Sequence, residues 1–289
     1  MVDSPPLVIA EDIQQVAPGV HVIPDRRVEF VPNAGVLVGD RATLVIDTAM
    51  GPRNGQTILE AARRLGAQKK LLLTTTHFHP EHAFGAQPFA EATYVCNASQ
   101  ARELADKGQE YIEMFSGFGP GLAELLSDVE LVAPDITYSS GRAEVDLGGL
   151  VAQLIEIGPA HTRGDQVIFL PEAKVLFAGD LVEDRFLPIF PDEDAVGSRW
   201  LDALDRLEQL EPAIVVGGHG EVGDLGLIHA LRDYLTTVRD RVAELHGEGL
   251  PLETIEERLE PELGERHSGW DNQMWIKSAV DSFHAALAR

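Results

Sequence analysis

Short apolar runs follow one another early in the chain: Val20-His21-Val22-Ile23, Gly35-Val36-Leu37-Val38 and Thr43-Leu44-Val45-Ile46-Asp47. Their length and β-branching, with Gly39-Asp40 between the last two, predict strands and a hairpin. Over residues 55–65, Ile58, Leu59, Ala62 and Leu65 fall on one helical face and Gly66 supplies a stop. Residues 70–76 read as a buried strand that delivers His77 at its C-terminal end. A strand at 93–97 and a helix from Ser99 to about Phe115 follow, and Gly117, Gly119 and Gly121 around Pro120 break that helix. A β-rich block comes next, at 136–140 (ending on Ser140), 150–157, 167–170 and 174–178. Trp200, Leu201, Leu204, Leu207 and Leu210 mark an amphipathic helix, and 213–216 reads as a strand. From Gly226 the pattern is helical, with Leu227, Leu231, Tyr234, Val238, Val242 and Leu245 on one stripe. Further helical segments are expected at 252–260 and 271–288. Strands and helices alternating in two halves predict a layered α/β fold with a helical appendage. The expected organisation is an irregular lead-in over 1–15, a domain over 16–225, and a C-terminal helical extension over 226–289 packed on it.

Charge narrows the partners. Of 289 residues, 47 are acidic and 23 basic, a formal net charge of −24. Such a field repels phosphate backbones and anionic membrane surfaces, so neither nucleic acid nor membrane is an expected partner. The single cysteine, Cys96, allows no intramolecular disulfide and no cysteine-rich zinc module. The start lacks a basic segment followed by an apolar core, and no run of 18 apolar residues occurs. The expectation is an acidic, cytoplasmic globular protein.

Candidate chemistry concentrates in Thr74-Thr75-Thr76-His77-Phe78-His79-Pro80-Glu81-His82. Three imidazoles and a carboxylate, ligand types of zinc and its neighbours, lie directly after an apolar strand. In an extended segment His77 and His79 point the same way, because side chains alternate with period two. Once the chain turns at Pro80, Glu81 and His82 face a second point, a spacing that suits two metals better than one. The remaining ligands must come from elsewhere. His161, Asp180 and His219 stand out, each at or just past the C-terminal end of an expected apolar strand, in Gly-Pro-Ala-His, Ala-Gly-Asp and Gly-Gly-His. His21, His229, His246, His267 and His284 have no partners at ligand spacing and read as structural or surface residues. Gly218-His219-Gly220-Glu221-Val222-Gly223 fits a dinucleotide fingerprint, but no strand follows to complete a βαβ unit.

With these residues in place the chain resembles the metallo-β-lactamase superfamily, the αββα-sandwich hydrolases, over roughly residues 16–222. The signature His-x-His-x-Asp-His is met by His77, His79, Glu81 and His82, and the later His, Asp and His by His161, Asp180 and His219. Gaps of 79, 19 and 39 residues separate His82, His161, Asp180 and His219, as the family pattern allows. The departure is Glu81, where the family has Asp. Glu is one methylene longer and reaches a metal only with a shift of roughly an ångström. An intact dinuclear site, a weakened second metal and a different metal preference all follow from that, and the intact or nearly intact site is favoured.

The resemblance implies one metal on His77, His79 and His161, a second on Glu81, His82 and His219, and Asp180 bridging, with Glu81 and Asp180 also carrying catalytic roles. It implies two divalent ions, zinc first, with iron or manganese as alternatives, that activate a water for hydrolysis near neutral pH. Asp47 resembles a carboxylate that orients a ligand histidine; its other reading is a hairpin-end side chain. Asp180 in place of Cys sets the chain apart from the lactamases with a cysteine ligand, and places it nearer glyoxalase II, lactonases and thioesterases. The reaction the resemblance implies is hydrolysis of an ester, thioester or lactone in a small-molecule substrate. The alternatives are a mononuclear iron oxygenase of persulfide-dioxygenase type, or β-lactam hydrolysis as a minor activity. Phe186, Leu187, Ile189 and Phe190, following the bridging Asp, either wall a pocket or pack on the tail. The tail, with Trp270, Met274, Trp275, Val280 and Phe283, either roofs the pocket or forms a homodimer interface.

Overall fold

The computed structural model describes residues 1–287 apart from 68, 140 and 192. The expected strand end at Ser140 and the expected helix end at 288 therefore lie outside the described residues. Among these residues, one sheet runs β1 (Gln14–Ala17), β2 (Val20–Ile23), β3 (Ala34–Val38), β4 (Ala42–Ile46), β5 (Lys70–Thr74), β6 (Thr93–Asn97), β7 (Ile136–Tyr138), in chain order. Its first four strands pair antiparallel and β4 through β7 pair parallel. The other sheet holds β8 (Arg142–Asp146), β9 (Val151–Glu156), β10 (Gln166–Leu170), β11 (Val175–Gly179) and β12 (Ile214–Gly217), with only β11 and β12 parallel.

Period-two alternation sorts the apolar side chains into layers. Leu37, Leu44 and Ile46 point one way and pack between the sheets with Leu154, Ile168, Phe177 and Val216. Val36 and Val45 point the other way, under Ile58, Leu59 and Ala62 of α1 (Gly51–Gly66). The outer face of the second sheet, with Val167, Phe169 and Leu176, is covered by four helices: α5 (Gly197–Glu208), α6 (Leu225–Gly247), α7 (Leu252–Arg266) and α8 (Ile276–Leu287). Short α2 (Pro80–Ala83), long α3 (Ala98–Ser116) and α4 (Pro120–Leu126) complete the helices, with Leu104, Tyr111, Phe115 and Leu122 packed against Phe78. The αββα arrangement with C-terminal helices matches the expectation. No helix of the described residues is long and apolar enough to cross a membrane.

Three elements escape the apolar pattern for physical reasons. Strand β1 begins on exposed Gln14-Gln15, and β8 exposes every second residue at a sheet edge, so neither carries an apolar run. Pro120, read as a breaker, opens α4 as its first residue, where its missing N–H costs nothing. The segment before β1 has no regular structure to residue 13 yet is anchored. Asn54 receives the Val8 amide at 3.0 Å and donates to the Pro6 carbonyl at 2.9 Å, and Val8 and Ala10 are buried. In the tail, Val280 and Phe283 are core residues and Trp270 and Trp275 pack at its edge, while Met274 is 76% exposed.

The parallel strands β4, β5, β11 and β12 all end at one rim. There the two sheets are pinned: the Gln166 amide donates to the Thr76 carbonyl at 2.9 Å, and the Gln166 side chain donates to Thr74 Oγ1 and the Thr75 carbonyl, both at 2.7 Å.

Candidate metal centre

Every side chain read from the sequence as a candidate ligand reaches that rim. After β5 the chain runs through Thr75–Thr76 to His77 and His79. Pro80 then turns it into α2, which carries Glu81 and His82. His161 sits between β9 and β10, Asp180 follows β11, and His219 follows β12. His77, His79, His161 and Asp180 form one group whose ligand atoms all lie within 4.8 Å of one another. Glu81, His82, Asp180 and His219 form a second to the same limit.

Asp180 belongs to both groups, and its two oxygens divide between them. Oδ2 lies 3.8 Å from His77 Nε2 and 3.7 Å from His161 Nε2. Oδ1 lies 3.1 Å from His82 Nε2 and 4.0 Å from His219 Nε2. His79 enters through its other nitrogen, Nδ1, 3.1 Å from His161 Nε2. Gly218 makes room for this carboxylate, since a Cβ there would stand 1.8 Å from Asp180 Oδ1.

The chemistry of the donor set fits divalent cations. His77 Nε2, His82 Nε2, Glu81 Oε2 and Asp180 Oδ1 are buried with no hydrogen-bond partner among the described residues. A buried polar atom left unpaired costs about 1–3 kcal/mol, and four aimed at common points are accounted for by cations that accept their lone pairs.

Opposite ring nitrogens are held from behind, which fixes which face each imidazole presents. His82 Nδ1 is 2.9 Å from Asp47 Oδ2, a carboxylate oxygen that accepts, so Nδ1 keeps a proton towards Asp47 and Nε2 is the nitrogen turned to Asp180. Asp47 also accepts from the Thr76 amide at 2.6 Å and the Thr76 hydroxyl at 2.9 Å, and that hydroxyl is 3.1 Å from His77 Nδ1. Asp47 thus contacts one histidine directly and a second through Thr76. His161 Nδ1 donates to the Ile189 carbonyl at 3.0 Å. Asp165 accepts from the His161 amide at 2.8 Å and from the Thr162 amide and hydroxyl, so it shapes the loop rather than touching a ring.

Burial, with help from neighbouring rings, pulls His77 and His79 well below the usual imidazole range, and burial lowers His219 too. His82 is also desolvated, but Asp180 and Asp47 outweigh that and hold it well above the range. Asp180 is desolvated likewise, and the pull of His82, with His77 behind it, leaves it well below the carboxylate range. Burial pushes the Glu81 carboxyl up to about 7.

Other residues at the centre carry no sequence signal. Asn33 Nδ2 donates to the Gly217 and Gly220 carbonyls at 3.0 and 2.9 Å, and Asp25 accepts the Gly220 amide at 2.8 Å, so the loop after β2 braces His219. Glu183 is buried, Oε1 lacks a partner among the described residues, and burial, then Asp180, raises its carboxyl well above the usual range. The segment after Asp180 splits its duties. Leu187 and Phe190 join the core beneath the tail, whereas half-buried Phe186 lies 5.8 Å from the His219 ring. The tail touches this segment through its backbone, with Leu187 donating to Asp271 at 3.0 Å and Asp271 to Arg185 at 2.9 Å. Arg163 pairs with Asp194 at 2.7 Å and Arg185 with Asp184 at 3.2 Å. Of the five remaining histidines none enters either ligand group. His246 and His284 nonetheless face each other at 3.3 Å across α6 and α8, a pairing their sequence spacing conceals.

Comparison with known proteins agrees with this geometry. The model of the metallo-beta-lactamase superfamily matches residues 27–219. A linear primary-alkylsulfatase of Pseudomonas sp. is 21% identical over 236 residues, covering 70% of this chain and 44% of that protein. The acyl-coenzyme A thioesterase MBLAC2 of Bos taurus is 26% identical over 193 residues, 60% of this chain and 68% of the relative. The chain thus spans less than half of the alkylsulfatase and about two thirds of the thioesterase. Among solved structures, the DIM-1 metallo-beta-lactamase exposed to ceftazidime superposes with a TM-score of 0.62 at 20% identity, over 81% of this chain and 99% of that one. Fold, rim geometry and a family match across two thirds of the sequence agree, and the chain belongs to the metallo-beta-lactamase superfamily of hydrolases.

Proposed function

We propose that this protein is a dinuclear metal-dependent hydrolase of an ester, thioester or lactone. The observation that carries the reading is the division of the Asp180 carboxylate, Oδ2 towards His77 and His161 and Oδ1 towards His82 and His219. His77, His79, His161 and Asp180 would hold one cation, and Glu81, His82, Asp180 and His219 the other. When bound, such a pair lowers the pKa of water towards neutrality and polarises a carbonyl. Zinc suits the nitrogen-rich half, while Glu81 and Asp180 make the other half equally hospitable to iron or manganese.

The chain's own side chains do the orienting. Asp47 and Thr76 keep protons on the outer nitrogens of His82 and His77, and Phe186 stands beside His219 as an apolar contact for the substrate. Glu81 shares a ligand group with His82 and His219, which supports two cations over the one-metal oxygenase alternative. The acyl-coenzyme A thioesterase among its relatives favours the thioester within the proposed class.

Metal analysis of protein purified without added metal, followed by assay against acyl thioesters, lactones and β-lactams, tests the reading. The expected result is close to two transition metals per chain, with hydrolysis that alanine at His79 reduces by at least 100-fold. Fewer than one metal per chain, or an unaffected His79→Ala variant, overturns it.

A further inference from the structure

Helix α3 contributes no ligand, yet its first turns are locked to both loops that carry the nitrogen-rich half of the centre. Asn97, Gln100 and Glu103 recur every three residues, which places them along one side of the helix. All three are buried, an uncommon fate for polar side chains, and all three are spent on the backbone of ligand loops. Asn97 caps the helix by accepting the Gln100 amide at 2.9 Å while its Nδ2 donates to the Gly164 carbonyl at 2.8 Å. Glu103 receives the Gly164 amide on Oε2 at 2.7 Å and the Arg163 amide on Oε1 at 3.2 Å. Gln100 Nε2 reaches the other loop, donating to Thr75 Oγ1 at 2.8 Å and the Thr75 carbonyl at 3.2 Å.

Gly164 is pressed onto the helix, for a Cβ there would meet the Gln100 amide nitrogen at 2.3 Å. These contacts fall three residues after His161 and two before His77. The opposite half is braced by other residues: Asp47 behind His82, and Asn33 with Asp25 around His219.

We propose that Asn97, Gln100 and Glu103 are positioning residues that set His161 against His77 and His79, so that the nitrogen-rich half of the centre depends on them selectively. The inference rests on the metal-centre reading above. A side chain gripping the loop at 163–164 acts on His161 alone, whereas Asp47 acts on His82 and, through Thr76, on His77. Loss of a contact behind a ligand typically costs 10–100-fold in metal affinity.

The test is a cobalt(II) titration of the full chain, wild type beside Glu103→Ala and Glu103→Gln. Binding is followed by visible absorbance and by paramagnetically shifted imidazole N–H signals, which separate the histidines of the two halves. Expected is a roughly 10–100-fold weaker constant for the step that shifts the His161 signal in Glu103→Ala, with the His82 and His219 step within about threefold of wild type. Glu103→Gln keeps the acceptor for the Gly164 amide but turns an N–H towards the Arg163 amide, so an intermediate weakening of the His161 step is expected, and this variant serves alone if the alanine variant does not fold. Equal weakening of both steps, or no weakening of the His161 step, overturns the clamp. A wild type that binds no divalent cation overturns the metal reading as well, whereas a two-cation wild type with an unaltered Glu103→Ala variant overturns only the clamp.

Discussion

Replacing Asp47 by Asn tests how much of the centre's affinity is set by a residue that touches no cation. In the native protein one oxygen, Oδ2, lies 2.9 Å from both His82 Nδ1 and the Thr76 hydroxyl, and the other takes the Thr76 amide at 2.6 Å. The amide of Asn keeps the acceptor for the Thr76 backbone but turns an N–H towards His82. Nδ1 must then accept, so the ring proton moves to Nε2, which stands 3.1 Å from Asp180 Oδ1. His82 Nε2 and Asp180 Oδ1 then stay hydrogen-bonded to each other even when the ring is neutral. Breaking a hydrogen bond to a charged partner costs about 1.5–3 kcal/mol, roughly 10–150-fold in the affinity of that half. Asp47→Ala leaves the tautomer free but strands the buried Thr76 amide, at about 1–3 kcal/mol of folding stability. The two variants therefore cross: Asn is worse for metal and Ala is worse for melting temperature. Chelator-competition titration with zinc and thermal unfolding of the metal-free forms read the two effects. An Asn variant that binds like wild type, or an Ala variant that binds metal more weakly than the Asn variant, refutes the tautomer argument.

Two further outcomes follow from the same geometry. Gly218→Ala puts a carbon where Asp180 Oδ1 now sits, at 1.8 Å, so both halves lose the bridging carboxylate and activity falls by at least 100-fold while circular dichroism stays native. A variant retaining more than a tenth of wild-type activity contradicts that packing. Acid should weaken the half containing Glu81, because its carboxyl is pushed up to about 7 and a proton there competes with the cation. The sign is loss of affinity as pH falls below that value: at pH 6 about one site in eleven is deprotonated, a loss of roughly tenfold relative to pH 8 from this group alone. Isothermal titration at the two pH values measures it, and a flat profile counts against the shift.

The candidate metal centre is legible in the sequence because the chemistry admits few residue types and the fold delivers them at strand ends or just past them. His77 to His82 form a run too dense for chance, and His161, Asp180 and His219 each come after an apolar strand. The supports are not legible. Asn33, Asp25, Gln100 and Glu103 are ordinary polar residues until folding buries them against a backbone that is distant in sequence, and no local pattern marks that outcome. The segment after Asp180 shows the same limit, since Phe186 and Leu187 are adjacent apolar residues and only tertiary packing sends one to the ligands and the other to the core. Edge strands β1 and β8 are missed because an edge needs few apolar residues.

The rim where the two sheets are pinned has a bearing on how the chain holds together. Residues 77–82 belong to the first sheet's side, whereas 161, 180 and 219 belong to the second's. A cation seated among them is a staple between halves that are separated in the sequence, comparable to a covalent cross-link in what it denies the unfolded chain. For a closed loop of about 100 residues such a constraint is worth about 4.7 kcal/mol. On the proposed reading, metal supply would set the durability of the protein as well as its turnover, and a chain nicked between β7 and β8 would have its fragments held together by bound metal as well as by apolar contact between the sheets.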